Sequence, residues 1–344
     1  MVSAVASAAR RLLVALALAS AAAAAVAQDA PPLVSAQWLM QQLGNPRIVV
    51  LDIRSAIDGG GVEAYRAGHI PGAVHSDYDK AGWRVTRQGT PFMLPSEAEL
   101  EKLIGEIGID EDSHVVVVPA GVHATDFGSA ARVYWTFKVA GHRAVSILDG
   151  GHAAWIAAAY PVERGHNPPS PKIFTVKFDR SRLAVTADVE AALGGASAAR
   201  AKVASLGVSR ASAAAGAGAT LIDARPARFF DGKEKAPAAK AYGHIPGALN
   251  LDSAGFYDPK NNRLRPKSEL AAIAASVPAG PVVSYCNTGH WAATNWFVLS
   301  ELLGRKDVKL YDGSMVEWSA DASRPIASSR TRWDDLKKAL GLGS

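Results

Sequence analysis

Short, largely apolar runs rich in β-branched residues punctuate the chain at 48–51, 115–118 and 282–285. Turn residues bound each run, the pattern of a strand buried on both faces. Between and after them, residues 97–107, 130–140 and 292–303 space their apolar positions at helical intervals. Strands alternating with helices predict an α/β fold: a mostly parallel sheet with helices on both faces. A chain of 344 residues is long enough for two such units, each burying its own core.

One apolar stretch does not fit that alternation. Arg10 and Arg11 precede an Ala-rich run from Leu12 to Val26, which exits through Ala25-Val26-Ala27 into polar Gln28 and Asp29. A basic start, a short apolar run and a small-x-small exit predict a secretory signal peptide over residues 1–27. The run is shorter than the ~20 residues that a membrane-spanning helix needs. The paired arginines leave either the general secretory or the twin-arginine route open. The mature chain is expected outside the cytoplasm, in the periplasm.

The sequence also repeats itself. Gly68-His69-Ile70-Pro71-Gly72-Ala73 recurs as Gly243-His244-Ile245-Pro246-Gly247-Ala248. Upstream of each copy an apolar run ends in Asp-x-Arg, at Asp52 and Arg54 and at Asp223 and Arg225. Downstream, Leu94-Pro95-Ser96-Glu97 matches Arg265-Pro266-Lys267-Ser268-Glu269. Asp149-Gly150-Gly151, closing at Trp155, matches Asp312-Gly313-Ser314, closing at Trp318. The same elements in the same order define two units, 32–163 and 183–325, with a Pro-rich linker at 164–182. Residues 194–220, rich in Ala, Ser and Gly, read as a surface insertion in the second unit. The Gly-Pro-Gly motif reads as a turn, which makes its histidines structural. In Asp-x-Arg, the aspartate is expected to cap the next helix and the arginine either to face the site or to hold structure.

Charge adds little. A net charge of +5, with lysine and arginine mixed among acids, reads as a solvated surface with no nucleic-acid partner. The histidines show no metal-ligand spacing, and no Gly-x-Ser-x-Gly elbow is present.

The cysteine count matters more. An exported protein normally pairs its cysteines in disulfides, but this chain has one, Cys286. It is either a buried small hydrophobe or a reactive thiol. It follows the predicted strand, precedes Asn287-Thr288-Gly289-His290-Trp291, and sits before the helix expected from Ala292. Loop amides and a helix start carry partial positive charge, which favours the nucleophilic thiolate. Gly289 lets the loop curl, and Asn287, Thr288 and His290 can donate hydrogen bonds to an anion above the sulfur. Aligning Gly128 with Gly289 puts Thr125 or Asp126 at the matching place in the first unit, which has no thiol.

Together these motifs resemble the rhodanese family over residues 32–325, in its tandem form with an inactive N-terminal and an active C-terminal domain. The resemblance implies sulfur transfer. Cys286 thiolate attacks the outer sulfur of thiosulfate or a related donor, sulfite leaves, and the persulfide passes its sulfur to cyanide or a thiol. No metal or organic cofactor is implied. Arg228 matches the family arginine that binds the anionic donor, one residue closer to Asp223 than usual, while Arg225 holds structure. Trp291 completes the expected site. The loop Cys286-Asn287-Thr288-Gly289 departs from the family patterns Cys-Arg-Lys-Gly (thiosulfate) and Cys-Gly-Ser-Gly (mercaptopyruvate). With the basic loop charges missing, His290, or Trp83 and Arg84 of the first unit, are expected to compensate. A 3-mercaptopyruvate-specific enzyme and a persulfide carrier with little turnover stay open. A cysteine phosphatase would need Cys-x5-Arg, and the sixth residue after Cys286 is Ala292. The expected partners are a small anionic sulfur donor and an acceptor. The expected state is a monomer, with no membrane association after signal cleavage.

Overall fold

The computed structural model describes residues 30–58, 60–194 and 218–330; the expected signal segment and most of the 194–220 insertion lie outside them. Two five-stranded parallel sheets organise the chain. The first contains β1 (Leu33–Val34), β2 (Ile48–Asp52), β3 (Val74–His75), β6 (His114–Val118) and β7 (Val145–Leu148), in the order β1-β7-β6-β2-β3. β4 (Val85–Arg87) and β5 (Thr90–Met93) form a separate hairpin. The second sheet contains β8 (Leu183–Ala184), β9 (Thr220–Asp223), β10 (Leu249–Asn250), β13 (Val282–Tyr285) and β14 (Val308–Tyr311), in the order β8-β14-β13-β9-β10. Its hairpin is β11 (Tyr257–Asp258) with β12 (Arg263–Leu264). The strand order is the same in both units. Between them, the stretch from Pro161 to Asp179 forms no helix and no strand.

The first unit carries α1 (Ala36–Gln42), α2 (Val62–Ala67), α3 (Glu97–Glu106), α4 (Ala124–Val139) and α5 (Gly151–Ala157). The second carries α6 (Ala227–Phe230), α7 (Lys267–Ala274), α8 (His290–Trp296) and α9 (Ser314–Trp318), besides a helix starting at residue 186. Strand side chains alternate between two cores, as the period of two requires. Val115 and Val117 of β6 enter one, while Val116 and Val118 enter the other. The first of these cores is shared: it also contains Ile222, Val282 and Cys286 of the second unit.

The two units join through α4 and α8, the helices that follow the two central strands. Tyr134 and Phe127 of α4 meet Phe297 edge-on, with ring centroids 4.9 and 5.7 Å apart. Phe297 begins a π-helical turn, Phe297–Leu302, that continues α8. Gly128 allows the close approach, because a Cβ there would stand 2.9 Å from Nε2 of His290.

The repeated motifs interlock. Arg54 and Arg225 each bond the carboxylate two residues earlier and donate, at 2.8 Å, to the carbonyl of the first glycine of the Gly-His-Ile-Pro-Gly-Ala segment. The aspartates Asp52 and Asp223 therefore hold their own arginines and, contrary to the expected role, cap no helix. His69 and His244 bond the carbonyls of Tyr65 and Phe230 through Nδ1 and pair by backbone with Glu163 and Ala327. Both histidines serve structure.

Candidate active site

β13, the central strand of its sheet, ends at Tyr285 and delivers Cys286 at its carboxyl end, where open α/β sheets build their sites. Cys286 is fully buried and unpaired. The loop after it closes on one hydroxyl. Ser314 Oγ accepts from the amides of Cys286 and Gly289, each at 3.0 Å, and donates to the Tyr311 carbonyl. The carbonyls of Cys286 and Asn287 accept from Met315 and Val316. Ser314 reaches this position from left-handed backbone, with φ 48°. Gly289, at φ 73°, caps α8. Thr288 and Trp291 are the partly exposed residues of the segment and form its contact with solvent.

The first unit closes the other side. His290 turns away from the loop and bridges the units: Nε2 lies 2.8 Å from the Thr125 carbonyl and Nδ1 2.9 Å from the Tyr78 hydroxyl. A carbonyl only accepts, so Nε2 carries the proton and Nδ1 accepts from Tyr78. Burial, with Arg84 adding its charge, pushes His290 down to about 3. It is a neutral strut with both ring nitrogens taken, so it has no hydrogen bond left for a bound anion. Arg84 packs 4.2 Å from the Tyr78 ring and pairs with Asp79 at 2.6 Å, so its charge is already met by a carboxylate of its own unit. Trp83 supplies nothing to the cleft. It is buried against Phe137 and bonds Ser76.

A second cation there was not expected from the sequence. Arg132 of α4 is fully buried and pairs with Asp312, which lies just beyond β14. A Cβ on Gly289 would collide with its Nη1. Of its polar atoms, Nε and Nη1 have no hydrogen-bond partner among the described residues, and the guanidinium lies 4.7 Å from the Trp135 ring centroid.

The other expected residues divide. Asn287 is held from behind by Arg225, whose Nη1 stands 3.3 Å from its Oδ1. Trp291 donates toward Thr125 Oγ1 at 3.3 Å and meets Phe229 edge-on. Arg228, beside Phe229 on α6, is half-exposed and pairs with Glu234 at 2.7 Å. Its neighbour Phe229 meets Trp291, but no contact joins Arg228 to Cys286 among the described residues. A separate cavity of about 470 Å³ opens beside Asp312 between β5 and β8, lined in part by Arg87, Ser96 and Arg180 but not by Cys286.

The first unit corrects the expected alignment. His152 and Ala153 donate to the carbonyls of Pro119 and Ala120, as Met315 and Val316 do to those of Cys286 and Asn287. The register partner of Cys286 is therefore Pro119, not Thr125 or Asp126. Matching by glycine misplaced it because Gly289 is the N-cap of α8, whereas Gly128 lies inside α4, whose N-cap is His123. Asp126 nonetheless fills the cradle: its carboxylate accepts from the amides of Ala120, Gly121 and Val122. The loop position that carries a thiol in one unit wraps a buried carboxyl group in the other.

Known proteins share this architecture. The rhodanese-like domain family matches residues 35–158 and again 208–321. A Pseudomonas aeruginosa protein named "Probable 3-mercaptopyruvate sulfurtransferase" is 34% identical over 308 residues, covering 86% of this chain and 98% of its own. Thiosulfate sulfurtransferase of Corynebacterium glutamicum is 33% identical over 305 residues, covering 86% and 89%. The crystal structure of SseA from Escherichia coli, a 3-mercaptopyruvate sulfotransferase, superposes with a TM-score of 0.64 at 28% identity, covering 83% of this chain and 98% of that one. With its motifs duplicated, its two sheets identical in strand order and both halves matched, the chain belongs to the rhodanese-like domain family, as a tandem of two such domains.

Proposed function

We propose that the chain is a thiosulfate sulfurtransferase acting through a persulfide on Cys286. The observation that carries this is the loop itself: the chain's one thiol stands at the carboxyl end of a central strand, on a turn whose counterpart binds a carboxylate through three amides. The thiolate sulfur attacks the sulfane sulfur of thiosulfate. An S–S bond forms, the sulfane–sulfite bond breaks, and sulfite leaves with the electron pair. Cyanide or a thiolate then attacks the outer persulfide sulfur, and the electrons of the broken S–S bond return to Cys286. Loop amides other than those of Cys286 and Gly289, which Ser314 takes, stabilise the anion at each stage. Arg228 draws in the anionic donor, and Asn287, Thr288, Gly289 and Trp291 shape the entrance. The sequence likeness to both thiosulfate and 3-mercaptopyruvate enzymes makes the donor the point to test.

The measurement is steady-state transfer to cyanide from thiosulfate and from 3-mercaptopyruvate, with parent and Cys286→Ser. Thiosulfate is expected to be used and the variant to be inactive. Activity retained in Cys286→Ser would end the covalent mechanism. The basic start and small-x-small exit of residues 1–27 support export to the periplasm. N-terminal sequencing of the mature, monomeric protein is expected to begin at Gln28, and an uncleaved Met1 would contradict export.

A further inference from the structure

We propose that Arg132, on the domain without a thiol, is a positioning residue for the Cys286 loop. Its guanidinium is wholly buried, and its carboxylate partner, Asp312, lies on the other domain. A buried charge of this kind is costly unless it is paired. Asp312 is held twice by the first domain, since its second oxygen accepts from the Leu94 amide at 2.5 Å. Two residues on, Ser314 grips the amides of Cys286 and Gly289. A continuous line thus runs from Arg132 through Asp312 and the 312–314 turn to the amide of the reactive cysteine.

Arg132 meets the loop a second time. Its Nη1 lies where a side chain on residue 289 would have to go, so the loop closes against the guanidinium itself. The opposite crossing is built differently. Asp149, the counterpart of Asp312, faces the half-exposed Arg263 of a hairpin at 3.9 Å, and α8 carries no lysine or arginine. Of these two turns among the described residues, the one under the thiol is clamped by a buried cation from the neighbouring domain. Packing alone gives no reason for that asymmetry, whereas a requirement for a fixed cysteine loop does.

This inference rests on Cys286 as the nucleophile, so its test separates the two claims. Single-turnover persulfide formation from thiosulfate and the alkylation rate of Cys286 by iodoacetamide are measured in parent, Arg132→Met, Arg132→Lys, Ser314→Ala and the Met/Ala double variant. Arg132→Met is expected to lower the saturating rate of persulfide formation by about 10- to 100-fold, with donor half-saturation nearly unchanged and alkylation slowed in parallel. Arg132→Lys restores part of that rate. Ser314→Ala gives a loss of similar size, and the double variant loses little more than either single one. Unchanged rates in Arg132→Met, or losses that multiply in the double variant, overturn the proposal. If Arg132→Met does not fold, Arg132→Lys decides: a rate and half-saturation equal to the parent's overturn it equally. A parent that alkylates but forms no persulfide refutes sulfur transfer and leaves the alkylation series to judge Arg132.

Discussion

Replacing His290 with glutamine removes one histidine's contribution to the pH dependence of folding. An ordinary histidine titrates near 6.5, while burial holds His290 at about 3 in the folded chain. Between those values the unfolded chain binds a proton that the native chain does not, so acidification favours unfolding. The stabilising effect of a neutral His290 is whole above about pH 6.5 and is lost progressively as the pH falls toward 3. At about 1.4 kcal/mol per pKa unit, the loss between pH 7 and pH 5 from this residue is about 2 kcal/mol. His114 and His152, each pushed down to about 4 by burial, act in the same direction. Asp58, raised to about 6 chiefly by burial, opposes them by taking up a proton in the native state. Those groups are common to both chains, so the difference between parent and variant isolates His290. Urea unfolding followed by tryptophan fluorescence at pH 7 and pH 5 measures it. The variant is expected to be less stable at pH 7, having lost one of the bonds to Tyr78 and Thr125. It should also lose about 2 kcal/mol less than the parent on going to pH 5. Equal pH dependence in the two chains would refute the neutral, doubly bonded imidazole.

Gly289→Ala places a side chain in left-handed backbone and against Arg132. It is expected to cost at least about 3 kcal/mol in urea unfolding and to abolish most sulfur transfer; a near-parental enzyme would show that the loop and Arg132 are not in contact. Asp126→Ala strips the acceptor from three amides, two of them buried. A loss of roughly 1–3 kcal/mol follows while transfer from thiosulfate stays close to parental, and a collapse of activity in a folded variant would contradict the passive first cradle. Arg228→Ala breaks an exposed ion pair and a contact with the Phe229 ring, the pair worth less than about 1 kcal/mol, yet the KM for thiosulfate should rise about tenfold with kcat kept. An unchanged KM removes Arg228 from donor binding.

Much of the architecture is local and therefore legible in the sequence. The β-branched runs at residues 48–51 and 115–118 became β2 and β6 because a parallel strand buried on both faces needs little else. The duplicated Gly-His-Ile-Pro-Gly-Ala segments announced two units because each copy performs the same task, tying a strand-end arginine to a turn. What escaped is contact between residues far apart in the chain. Arg132 and Asp312 are 180 positions apart and meet only once α4 lies against the second domain. Their one sequence trace is a charged residue amid the apolar positions of a helix, at Ala130-Ala131-Arg132-Val133. His290 was read as facing a ligand because it follows the cysteine loop, but the first turn of α8 rotates it toward Tyr78. Counting from the strand ends, Val118 and Tyr285, finds Pro119 opposite Cys286; counting from the glycines does not.

The account's central claim is tested most directly by mass spectrometry of the protein after brief exposure to thiosulfate without an acceptor. The account predicts that one added sulfur atom will be found on the peptide containing Cys286 and that cyanide will remove it as thiocyanate. An unmodified Cys286 peptide in a folded protein that still converts thiosulfate and cyanide would contradict it.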